Sequence, residues 1–230
     1  MCGRYFLTHS AADIAAFFRA LPVAATSFAQ GENISPTQQI LVVTGGDELQ
    51  LTTMRWGMFP RWSTSVKNGR PIINARSETV TQKPMFRDLI RTNRCVVPAS
   101  GYYEWPKSRP PRSKPIEISF DGDEPLAMAG LWDTTLNSHR LEERTCVIIT
   151  TDPATEIAEI HDRMPALLTR SEVNVWLDKS TSVADAVNLL RPWHYDRLAI
   201  HDTAHRKTTT GSCDTDKRGL GQQLDLWEDL

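Results

Sequence analysis

No stretch of the 230 residues approaches 18 apolar positions in a row, so no membrane-spanning helix is expected. The start lacks a basic segment leading into an apolar core and a small-residue cleavage site, which points to a cytosolic rather than a secreted product. Cysteine is scarce: Cys2, Cys95, Cys146 and Cys213 lie far apart and form no CxxC pair. That argues against a zinc site or a disulfide framework, and cytosolic thiols are expected to stay reduced. There is no nucleotide-binding glycine loop, no metal-ligand cluster and no internal repeat, so neither cofactor nor metal is expected.

What is present is an uneven distribution of charge. The chain carries a net charge of only −2, yet Arg55–Lys114 holds 13 Lys/Arg against three acids, Glu78, Asp88 and Glu104. The same stretch holds seven aromatics: Trp56, Phe59, Trp62, Phe86, Tyr102, Tyr103 and Trp105. Basic residues interleaved with rings suit a nucleic-acid single strand, where charge follows phosphates and rings stack on bases. The plainer reading is a solvated basic face over core aromatics.

Local patterns predict short elements. SAADIAAFFRAL (10–21) reads as a helix capped by Ser10, with Asp13 suiting its positive end and Ile14, Phe17, Phe18 and Leu21 at helical spacing. QQILVVTGGDELQLTTMRWGM reads as a hairpin across Gly45-Gly46-Asp47. CVVPASGYYEW (95–105) reads as one bent strand, and PIEISF with PLAMAGLW as a strand pair across residues 121–124. RTCVIITTD (144–152) is a buried strand. A helix follows with Asp152 as cap and Pro153 in its first position. Two more short helices are expected at 171–178 and 182–190. Strands outnumber helices without βα alternation, which indicates an α+β domain: a β-rich, mixed-sheet, barrel-like core with short helices over residues 1–205. Residues 206–230 are polar and Gly/Thr-rich, a flexible tail ending in LDLWEDL.

Cys2 is the residue with the most distinctive chemistry. Initiator methionine is removed when the second residue is small, which would leave an amine and a thiol on adjacent carbons. An α-amine has a reference pKa of roughly 7.7–8.0, so much more of it is neutral near pH 7 than of a lysine at about 10.4. The amine attacks an aldehyde to give an imine. The thiol then closes a five-membered thiazolidine, helped by an effective molarity on the order of 10⁵ M or more. Gly3 leaves room for close approach and Arg4 adds a cation.

Four segments in order, MCGRY at the start, INARSET (73–79), GYYEW (101–105) and IHDRMP (160–165), together with NISP (33–36) and RWGMFPRW (55–62), resemble the SRAP family of abasic-site-processing, DNA-crosslinking proteins over roughly residues 1–195. The resemblance implies capture of abasic sites in single-stranded DNA by mature Cys2, a monomer in the cytoplasm at the nucleoid or replication fork, and an older label as a self-cleaving peptidase. It implies catalytic roles for Cys2, Asn74, Glu104 and His161: Asn74 orienting the Cys2 amine or the sugar, Glu104 shuttling protons from an apolar pocket, and His161 acting as general acid, with lyase or reversal activity in reach. It implies DNA contacts from Arg4, Arg76, Arg163, Trp62, Trp105 and Pro36, with Arg55, Arg61 and Lys83 as weaker phosphate contacts. After Trp193-His194 the sequence departs from the family pattern, leaving the last core strand open. Two other classes stay in play: a cysteine peptidase using Cys2 with His161, and a non-covalent single-strand binder. In the tail, QQLDLW resembles the bacterial sliding-clamp-binding peptide, with Gln222, Gln223, Leu224, Leu226 and Trp227 as its contacts.

Overall fold

A computed structural model describes residues 2–22, 27–60, 70–110, 113–136, 141–194 and 197–205. In chain order these form β1 (Tyr5–Leu7), α1 (Ala11–Phe18), β2 (Leu21–Pro22), β3 (Gly31–Ile34), β4 (Gln39–Thr44), β5 (Gln50–Trp56), β6 (Asn74–Arg76) and a 3₁₀ turn (Ser77–Thr79). They continue with α2 (Leu89–Thr92), β7 (Arg94–Ala99), β8 (Gly101–Glu104), β9 (Ile116–Phe120), β10 (Leu126–Leu136), β11 (Glu142–Thr151), α3 (Thr155–Ala158), β12 (Met164–Pro165), α4 (Arg170–Leu177), α5 (Val183–Asn188) and β13 (Leu198–Asp202). The tail, including Gln222–Trp227, and the segment holding Arg61 and Trp62 lie outside the described residues.

The fold is α+β, with a closed mixed barrel at its centre. β4 pairs antiparallel with β5 and β7, β7 with β10, and β10 with β11. The ring closes through a parallel contact between β11 and β5, Thr145 facing Arg55 and Cys146 facing Trp56. Val42, Val43, Val96, Val97, Leu131, Val147 and Ile149 are buried around it. Both faces of β7 are covered, so it is apolar throughout apart from Arg94. Its Pro98 pairs with Ala127 of β10, while β4 reaches only Cys95 and Val96. The missing proline N–H therefore falls where β7 has a single neighbour.

A second sheet, in the order β13-β9-β8-β1-β3, leaves the barrel at Ser100. Residues 95–105 are thus two strands in two sheets instead of one bent strand. The expected pair across 121–124 is also not a hairpin: β9 joins β8 and β13, whereas β10 joins β7 and β11. Both runs are apolar enough to sit in either sheet, and partners far away in sequence decide which. β13 supplies the strand that the sequence left open, with Leu198 opposite Phe120 and Asp202 opposite Ile116.

The helices follow local chemistry more closely. Ser10 Oγ accepts the Asp13 N–H while Asp13 accepts the Ser10 N–H, a reciprocal capping box for α1. Thr169 and Glu172 repeat the device at α4, and Ser182 caps α5. α3 differs from expectation, because Ala154 occupies its cap without a side-chain bond and Asp152 is engaged elsewhere. The basic, aromatic stretch also divides. Trp56, Phe86 and Tyr102 are core, and buried Arg94 donates to the carbonyls of Trp176 and Ile90 to anchor α4 against α2. Among the described residues no helix is long and apolar enough to cross a membrane.

Candidate active site

The site forms where the second sheet meets the barrel. Tyr5 of β1 sits opposite Tyr102 of β8, and the Tyr103 N–H donates to the Arg4 carbonyl at 2.9 Å. Continuing that register sets Gly3 opposite Glu104. Strand alternation then turns Tyr5, Tyr102 and Glu104 to the inner face, with Phe6 and Tyr103 stacked on the outer face at 5.3 Å.

Cys2, at the head of β1, is fully buried. Burial pushes its thiol up, and the charge of Glu104 pushes it further, so the sulfur is held as S–H at neutral pH. Asn74 arrives from the other sheet. β6 pairs in parallel with β11, Asn74 facing Ile148, and the Asn74 Nδ2–H donates to the Cys2 carbonyl at 3.0 Å. Asn74 Oδ1 is buried without a hydrogen-bond partner among the described residues. Two fully buried phenols, Tyr5 and Tyr102, have hydroxyls in the same condition.

Glu104 is 3% exposed. Its carboxyl is pushed up to about 7, first by burial and then by Asp162, against the opposing pull of the chain's positive terminus. His161 follows α3, its N–H donating to the Ile157 carbonyl at 2.9 Å. Its Nδ1 accepts the Arg163 backbone N–H at 3.0 Å, so the neutral ring carries its proton on Nε2. That Nε2 faces Glu104 Oε2 at 3.9 Å. Burial, aided by the chain terminus, holds the imidazole below its ordinary value.

Arg163 anchors the loop from within. Its guanidinium donates to Glu78 Oε2 at 2.7 Å, Asp152 Oδ1 at 2.8 Å and the Thr150 carbonyl at 2.7 Å. This is where Asp152 goes instead of capping α3. The network ties the IHDRMP loop to the turn after β6 and to β11, which fixes His161 relative to Asn74. Glu78 is held down to about 2, chiefly by that hydrogen bond to Arg163.

The family model described as SOS response associated peptidase (SRAP) matches residues 1–206. The chain belongs to the SRAP family. Abasic site processing protein YoqW of Bacillus subtilis is 34% identical over 209 residues, spanning 89% of this chain and 92% of its own. Abasic site processing protein YedK of Escherichia coli is 28% identical over 193 residues, 81% of this chain and 83% of its own. A crystal structure of a protein from Bacteroides thetaiotaomicron superposes with a TM-score of 0.78 at 28% identity, covering 87% of this chain and 91% of that one. Another, from Bordetella bronchiseptica, gives 0.74 at 25% identity, with 86% and 98% covered.

In this SRAP chain, Cys2, Asn74, Glu104 and His161 converge from four separate stretches of sequence. Arg4 donates to Asn33 Oδ1 at 2.8 Å, joining the N-terminal segment to NISP. Arg76 is exposed two residues beyond Asn74, on the same side of β6, while Pro36 and Trp105 are half-buried. Lys83 is exposed, and Arg55 pairs with Glu143 at 3.4 Å. Arg163 is 8% exposed and committed inside the protein, not presented at the surface. Sequence reading gave no part in the site to Glu78, Asp162 and Lys107, and it read Asp152 as a helix cap. Two of these, Glu78 in INARSET and Asp162 in IHDRMP, stood inside the quoted motifs, and a buried arginine needing acids was the signal for the first. Among the described residues no group of three or more His, Cys, Asp or Glu could hold a metal ion.

Proposed function

We propose that this protein, once Met1 is removed, captures the ring-opened abasic sugar of single-stranded DNA as a thiazolidine on Cys2. The observation that carries the reading is the convergence on Cys2 of an orienting amide, Asn74, and a proton-exchanging carboxyl, Glu104, whose value near 7 lets it give and take protons at working pH. The names of the curated relatives, as abasic site processing proteins, point the same way.

The steps follow from the groups. Glu104 takes the proton of the sugar's anomeric hydroxyl while His161 donates to the ring oxygen, which breaks the C1′–O4′ bond and frees the aldehyde. The Cys2 amine attacks C1′ to form a C–N bond and passes one proton to the carbonyl oxygen; Glu104 gives its proton to the resulting hydroxyl, which leaves as water, and the second amine proton returns to His161. The thiol then adds across the C=N bond: sulfur bonds to C1′, its proton passes to nitrogen, and one water is lost overall. An S–H held up by burial suits this order, because the amine reacts first and the sulfur serves only to close the ring. A cysteine peptidase needs the opposite, a thiolate beside an imidazolium, whereas burial here raises the thiol and lowers His161.

Arg4 and Arg76 hold phosphates flanking the lesion, and Trp105, Pro36 and Trp62 pack against neighbouring bases. Arg163 serves the strand indirectly, through the loop it anchors. The protein works as a monomer where single strands are exposed, and residues 222–227 dock on a sliding clamp. Deleting 221–230 should abolish clamp capture and leave crosslinking intact.

The deciding experiment incubates mature protein, its Met1 removal verified by intact mass, with a single-stranded oligonucleotide carrying one abasic site. A denaturing gel should show a shifted band that vanishes in Cys2→Ala. Binding without a covalent band would reduce the protein to a single-strand-binding module.

A further inference from the structure

His161 poses a problem for the reaction just described. An acid at the ring oxygen must be an imidazolium, because a neutral imidazole donates a hydrogen bond but gives up its proton very weakly. Burial and the positive chain terminus both oppose the cation. Among the described residues, these groups face the ring. From β8, Glu104 Oε2 lies 3.9 Å from Nε2. From the ring's own loop come the Arg163 N–H on Nδ1 and Asp162 Oδ1, 3.0 Å from that same Nδ1. From the segment after β8, Lys107 Nζ reaches Asp162 Oδ2 at 3.2 Å and also bears on the ring through its charge.

Nδ1 therefore has two neighbours that suit opposite protonation states. The Arg163 N–H needs a lone pair there, which only the neutral ring offers. The Asp162 carboxylate needs a proton there, which only the cation offers. We propose that Asp162 is a positioning residue for His161: it receives the Nδ1–H of the imidazolium and so makes the proton-donating form reachable, while Lys107, paired to the other carboxylate oxygen, limits how far. The ring takes up a proton by exchanging the backbone N–H for Asp162. Nε2–H stays aimed toward Glu104 and the sugar throughout, so charging the ring does not misdirect the proton it delivers. Asp162 and Lys107 are both largely exposed, which keeps the coupling modest and sensitive to salt.

The proposal rests on the abasic-site reading for its consequence but not for its test. In DNA-free protein labelled at histidine, with the His161 signal assigned by comparison with His161→Gln, ring titration by NMR should give opposite displacements. Asp162→Asn lowers the His161 midpoint by about half to one pH unit, and Lys107→Gln raises it by a smaller amount. Asp162→Glu, which keeps the charge, restores most of the change. The crosslinking pH–rate profile of each variant should shift its alkaline limb in the same direction as its midpoint. A midpoint unmoved by Asp162→Asn, or displaced the same way by both substitutions, would overturn the proposal. If the midpoints move as stated and no crosslink forms even in the wild type, the reading of function fails and the pairing stands.

Discussion

Replacing Glu104 with glutamine should make the protein more stable and less active, by amounts that depend on pH. The carboxyl lies at about 7 in the folded protein against 4.5 for a free side chain. Its folded value is raised, so folding favours the protonated form. Below pH 4.5 both states are protonated and nothing is lost. As pH rises from there through 7, the unfolded chain ionises freely while the buried group resists, and the folded state loses stability. The full cost, reached above pH 7, is about 3 kcal/mol for a shift of this size. Glutamine is nearly isosteric and never ionises, so Glu104→Gln escapes the decline. Urea denaturation of both proteins at pH 5 and pH 8.5 should show the variant's advantage growing by about 2.5 kcal/mol across that range. Near pH 7 its crosslinking rate should lie about 10²-fold below that of the wild type, the ordinary contribution of a positioned acid–base group. If the two stability profiles ran parallel, Glu104 would ionise in the folded protein as it does in water, and a carboxyl shuttling protons near neutrality would have no physical basis.

Asn74→Ala removes the hydrogen bond to the Cys2 carbonyl, worth about 1 kcal/mol; crosslinking should slow by about fivefold or more and the melting temperature fall by about 2–4 °C, as gel time courses and thermal melts would show. Arg163→Met strands Glu78 and Asp152 and leaves the Thr150 carbonyl without its donor. Since both acids are partly exposed, a loss of about 2 kcal/mol in denaturant unfolding is expected, with Arg163→Lys recovering part of it. Gly101→Ala would set a Cβ 2.5 Å from the Phe6 ring and 2.7 Å from the Ile118 carbonyl; overpacking of about 2 kcal/mol should follow, with slower crosslinking because β8 also carries Glu104.

Features of short range were readable from sequence. The cap at Ser10 depends on a residue three positions away, and the β4–β5 turn on adjacent glycines. Glu104 was legible as a carboxyl among aromatics because its own segment supplies Tyr102, Tyr103 and Trp105. What sequence could not supply was allegiance between distant pieces. Nothing within residues 95–105 says that Ala99 and Gly101 belong to different sheets, since the partners that separate them, Leu126 and Phe6, lie elsewhere in the chain. Asp152 looked like a helix cap until Arg163 and Glu78 were brought beside it. Arg163 looked like a phosphate contact for the same reason: an arginine's partners are invisible until the chain closes around it.

The site's four central residues enter the world in a fixed order, Cys2 first and His161 last. A ribosome adding 5–20 residues per second needs roughly ten to thirty seconds to travel between them. If Met1 is removed as proposed, a trimmed aminothiol hangs from the emerging chain throughout that interval, open to any small carbonyl compound in the cell. Closure of the barrel ends this vulnerable period by drawing the first-made residue beneath parts synthesised later. On the proposed reading, the molecule's own completion is what guards that end for a rarer target.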